Sequence, residues 1–162
     1  MLADLKRIVD LPVIPNRAGN CNFPIVMYIF SCMEFLGRLV SEEPIPDKGG
    51  STQDRVWAYI ELTFGNSYQA FQQHKGTFVQ IFRHGLVHEF FAKNAGISRG
   101  HTELFGRSPG GKIVLDADRF YDLFRESCGK LKSLIDTSEE LAGRISDRYL
   151  ELQQHNREQW SS

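Results

Sequence analysis

The sequence predicts a mainly α-helical protein: a four- to five-helix bundle with a small inserted β-hairpin at about residues 97–115, all within a single domain spanning 1–162. Three observations predict it. Apolar residues recur at three- and four-residue spacing along most of the chain, which is helix periodicity. Breakers gather in a few places, above all "SEEPIPDKGG" at 41–50, so the helices have defined ends. Only around "GRSPGG", 106–111, does the pattern shorten to apolar runs flanking turn formers.

At 162 residues the chain is long enough to bury a core, and 41% hydrophobic with 24% charged residues excludes wholesale disorder. The formal net charge of −1 excludes the overall basicity of a chain built to coat nucleic acid. Charge is nonetheless uneven. Between Lys75 and Lys112 six basic residues stand against Glu89 and Glu103, a local balance of +4 that leaves −5 for the remainder. The three cysteines, Cys21, Cys32 and Cys128, are odd in number and lack CxxC spacing, which excludes a disulfide framework or zinc ribbon and suits a reducing cytoplasm. The apolar stretch Phe23 to Met33 contains Pro24, ends at Glu34 and is shorter than a bilayer span, so no membrane is expected.

Element by element, residues 2–11 read as a short amphipathic helix on Leu2, Leu5, Ile8 and Val9, stopped by Pro12. Asn22 can cap a second helix that tolerates Pro24 in its first turn and runs to Val40; its nearly unbroken apolar surface makes it central. Ser51 and Asp54 begin a third, with Val56, Trp57, Ile60 and Phe64 on one face. Asn66 and Gln69 have capping-box spacing after Gly65, and helical character then continues to about Ala92, with a break near Gly76. Segments 97–105 and 112–115 are the hairpin strands. Asp116 or Asp118 caps a helix through Ile135, and Thr137 with Glu140 caps a last one, whose stripe is Leu141, Ile145, Tyr149 and Leu152 before it frays in "QQHNREQWSS".

The chemistry-bearing stretch is "FRHGLVHEFF", 82–91. It sets Arg83, His84 and His88 among phenylalanine, leucine and valine. Uncompensated burial of such groups costs several kcal/mol, on the order of 3 or more, so each must meet a partner, water or a ligand. Arg83 and His88 are five apart, about 140° around a helix, and cannot face one another within it. Two antiparallel copies about a twofold axis would bring the arginine of one chain to the histidine of the other. A guanidinium fork beside a group titrating near neutrality suits a phosphodiester. Gly85 adds an interior glycine that costs about 1 kcal/mol of helix propensity, usually offset by a close backbone approach.

Arg83-His84-Gly85-Leu86-Val87-His88 resembles the R-x4-H motif of the HEPN superfamily, small helical bundles that include ribonucleases and toxins. The resemblance implies a cytoplasmic homodimer that binds and cleaves RNA without metal or cofactor, by attack of the ribose 2′-hydroxyl to leave a cyclic phosphate. In that scheme Arg83 stabilises the phosphate and His88 is the general acid or base, while His84, Lys93 and Arg99 contact substrate. It also implies a toxin or defence role and a protein antitoxin as partner. The match is close over about ten residues. Phe90 stands where one toxin branch carries tyrosine, and the hairpin lies outside the minimal bundle.

A structural reading competes: His88 bonded to a backbone carbonyl, Arg83 paired with Glu61 or Glu34, and the chain a non-catalytic interaction module of the same fold. Zinc on His84 and His88 with His101 or Glu103 is a weaker alternative, because HExxH is absent. There is no GxSxG elbow for a serine hydrolase. "GRSPGGK" is not a phosphate loop, because Ile113 follows Lys112 where serine or threonine is required.

Overall fold

The computed structural model describes residues 1–14, 22–42, 51–75, 78–84 and 95–160. Helix α1 spans Leu2–Val9, α2 Asn22–Val40 and α3 Thr52–Thr63. A 3-10 turn at Gly65–Ser67 leads into the short α4, Tyr68–Gln72, and a π-helical turn covers Val79–His84. Strands β1 Ala95–Ser98, β2 Phe105–Arg107 and β3 Ile113–Asp116 follow, then α5 Ala117–Thr137 and α6 Glu139–Trp160. The protein is mainly helical with one small sheet.

Helix α2 is the hub. It packs against α1, α3, the π turn, β1, α5 and α6. Its length and apolar composition would suffice to cross a membrane, yet half of that stretch is buried against these neighbours. The α2–α3 crossing is set by Gly37, where an added Cβ would lie 1.7 Å from the Arg55 carbonyl oxygen, so only glycine lets the two backbones meet. Around this crossing the core is aromatic. The Phe78 ring lies 5.0 Å from Phe30, 4.9 Å from Phe71 and 5.7 Å from Phe82, and Phe30 continues to Phe120 at 5.5 Å. Tilted and edge-to-face pairs of this kind add to the apolar burial itself.

The ends of the helices follow local chemistry. Ser51 Oγ accepts from the Asp54 amide at 3.0 Å and Asp116 Oδ1 from the Arg119 amide at 2.9 Å. At its C-terminus α2 leaves carbonyls without helical partners, and α6 supplies them. Arg148 donates to the carbonyls of Arg38, Leu39, Ser41 and Glu42, and Arg144 to that of Val40. Two cations thus sit at the negative end of the α2 dipole.

Four expectations are corrected. The 97–115 region is a three-stranded sheet, ordered β1-β3-β2, in which β2 and β3 form an antiparallel hairpin while β1 pairs parallel to β3. The turn formers mark only the hairpin, and nothing local in residues 95–98 announces a parallel partner. Ser138, not Thr137, caps α6, accepting from the Leu141 amide at 3.2 Å; the Thr137 hydroxyl donates back to Ser133 O at 2.9 Å and closes α5 instead. Helix α6 runs unbroken to Trp160, and Tyr149, expected on its apolar stripe, is exposed while Leu152 is half-buried. The expected capping box at Asn66 is replaced by the 3-10 turn, with Gly65 at a φ of +55°.

Candidate functional site

The site forms where the π turn meets the α2–α3 crossing. In a π turn hydrogen bonds run to the fifth residue and widen the helix, a distortion common at functional positions. Val79 and Phe82 are buried in the aromatic core, and Arg83 comes out at its rim with a side-chain exposure of 21%. Its Nη2 donates to Glu34 Oε2 at 2.8 Å. Glu34 lies on α2 one turn before Gly37, so the close approach that seats Arg55 beneath Gly37 also brings α3 to this carboxylate. Arg55 Nη1 stands 3.6 Å from Glu34 Oε1, and Thr52 Oγ1 donates to the same oxygen at 2.9 Å.

Two guanidinium groups therefore converge on one carboxylate, all three less than a quarter exposed, at 13% for Arg55 and 18% for Glu34. A guanidinium has five N–H donors in a rigid fork, so an arginine oriented by one carboxylate keeps donors for a second anionic ligand. Phe35, the residue after Glu34 on α2, is 44% exposed.

Of the residues singled out in the sequence, Arg83 is at this cluster. His84 closes the π turn, its side chain outside the described residues; His88 and Lys93 also lie outside them, as does Gly85. Arg99 is elsewhere and does different work. Its side chain is 5% exposed, its Nε donates to Asp118 Oδ1 at 2.8 Å and its Nη groups to the carbonyls of Val9 and Leu11. It ties the end of α1 to the start of α5, a clamp in the fold. Sequence reasoning named Glu34 as a partner for Arg83 but missed Thr52 and Arg55. The available signal was an acidic residue inside the most apolar helix, which demands more than one donor. Among the described residues no three metal-ligating side chains gather.

No protein-family model, no curated protein and no solved structure matches this chain.

Proposed function

We propose that the chain is a HEPN-like helical bundle acting as a cytoplasmic homodimer that binds RNA and cuts it without a metal. The 2′-hydroxyl attacks the adjacent phosphorus, the bond to the 5′ oxygen breaks, and a 2′,3′-cyclic phosphate remains. Arg83 holds the phosphate's developing charge and His88 moves the proton. The observation that carries this reading is Arg83, the first residue of the R-x4-H motif, held at the rim of the core by Glu34 at 2.8 Å and still 21% exposed. The exposed Phe35 on α2 offers apolar surface of the sort an isologous dimer face buries. A toxin role with a protein antitoxin is the biological form this activity takes in the family it resembles.

Expression of wild type beside His88→Ala and Arg83→Lys tests it. Growth arrest and RNA fragments with cyclic phosphate ends should appear with wild type alone. Cleavage by folded His88→Ala at the wild-type rate would remove the proposal. The Arg83–Glu34 ion pair also favours a second reading, a non-catalytic module in which the arginine holds the π turn to α2. Under that reading Arg83→Lys changes stability and no RNA is cut by any of the three proteins.

A further inference from the structure

The two outer edges of the sheet differ. Strand β1 lies against the start of α2, where Asn22 Nδ2 donates to the Ile97 carbonyl at 3.1 Å. Strand β2 has no strand on its far side, because the order is β1-β3-β2. Beyond the two ends of the β2–β3 ladder, the Asp116 amide donates to the Leu104 carbonyl and the Ser108 amide to the Lys112 carbonyl, both at 2.9 Å. Hydrogen-bonded and non-bonded pairs alternate along an antiparallel ladder, so Gly106 is the residue bonded to Val114. Phe105 and Arg107 therefore turn their amides and carbonyls away from β3, and these groups have no partner among the described residues. An open strand edge of this kind is a template for another chain.

Each face of that edge carries a hollow, and the two hollows differ in chemistry. Phe105, Arg107 and Ile113 share the face that meets α4, where the Phe105 ring lies 5.3 Å from Phe71 and 5.2 Å from His74. A cavity of about 260 Å³ there is lined by Arg107, His74 and Gln73, with no carboxylate among its described residues. Arg107 is exposed and gives Nη1 to the Gly111 carbonyl at 2.9 Å, and a guanidinium has five donors in all. On the opposite face Gly106 and Val114 border a cavity of about 300 Å³, lined also by Pro109 and Glu103. A Cβ on Gly106 would meet nothing within 4 Å, so the strand is bare at its centre.

We infer that the β2 edge takes an added strand: an extended, acidic peptide segment of another protein, paired antiparallel to β2. In strand addition main-chain bonds give affinity, and pockets under alternate side chains give specificity. Antiparallel pairing lets two peptide residues, one opposite Phe105 and one opposite Arg107, use every open amide and carbonyl of the edge. Their side chains fall on the α4 face, where Arg107 favours carboxylates by a charge-assisted bond. The peptide residue between them falls over Gly106, where the bare backbone and Val114 suit an apolar side chain and Glu103 disfavours an acid. The matching pattern is acidic, apolar, acidic. Because β2 is three residues long, the epitope is equally short. This edge lies outside the R-x4-H segment, so the inference stands whether or not RNA is cut.

The end-blocked peptide Thr-Glu-Val-Glu-Thr, titrated into the isotope-labelled full chain and followed by nuclear magnetic resonance, tests it. The Phe105 and Arg107 amide signals should shift and gain protection from hydrogen exchange. Methylating either glutamate nitrogen, which points at β2, should weaken binding about tenfold, the worth of one main-chain hydrogen bond lost and its acceptor stranded. Methylating the valine nitrogen, which points away, should leave affinity unchanged. Thr-Lys-Val-Lys-Thr should bind about tenfold more weakly than the acidic peptide, and Arg107→Glu should reverse that preference. No binding, equal losses from all three methylations, or shifts confined to residues outside β2 would overturn the inference. So would protection of the Phe105 and Arg107 amides in the free chain that disappears on dilution, which would assign the edge to a second copy of this chain.

Discussion

Arg83 and Arg99 are the same side chain in two regions of one molecule, and their surroundings assign them opposite work. Arg99 is sunk between α1 and α5, spreading its donors over a carboxylate and two backbone carbonyls. Arg83 stands at a rim and shares one carboxylate with a second arginine. In the first region the guanidinium is sealed in at 5% exposure and serves folding; in the second Arg83, 21% exposed, stays within reach of water and can serve binding. Charge alone does not separate them. What does is the number of acceptors spent on each guanidinium and the water that still reaches it.

Three measurements sharpen or break this contrast. The largest effect belongs to Arg99→Ala, which strands the partly buried Asp118 and two carbonyls and should cost about 3 kcal/mol; urea denaturation showing a loss below that of Arg83→Ala would reverse the assignment. Next is the interior's response to alkali. Burial, with the Cys128 thiol nearby, pushes the Cys32 thiol from its ordinary 9.0 up to about 11, and burial also raises the Tyr59 phenol, which is bonded to Ser127 at 2.7 Å. The unfolded thiol ionises first, so above pH 9 the unfolded state binds fewer protons and stability must fall as pH rises from 9 towards 11, by on the order of 2 kcal/mol. Equilibrium unfolding at pH 8 and pH 11 checks this, and Cys32→Ala should blunt the fall. Smallest is Arg83→Ala itself. Glu34 keeps Thr52 and Arg55, so the loss should be about 1 kcal/mol. A loss near that of Arg99→Ala would make Arg83 another clamp.

Much of this architecture is written in short-range chemistry. Pro12, the Ser51 and Asp116 caps, the apolar run to Val40 and the turn formers of 106–111 mark where helices and the hairpin begin or end. They do so because caps and turns satisfy backbone groups within four or five residues of themselves. The choice of Ser138 over Thr137 shows the limit, since either hydroxyl could cap and the exit of α5 decided between them.

Other features had no local cause. The parallel pairing of β1 with β3, the embrace of α2's carbonyls by Arg144 and Arg148, and the convergence of Thr52, Arg55 and Arg83 on Glu34 join residues from 18 to 110 positions apart. That Arg83 required a partner followed from the cost of burying a charge among apolar residues, and Glu34 was one of two carboxylates in view. That a second arginine came with it was settled by Gly37: only a backbone without a Cβ lets α3 approach α2 closely enough to deliver Arg55 to the other oxygen of the same carboxylate.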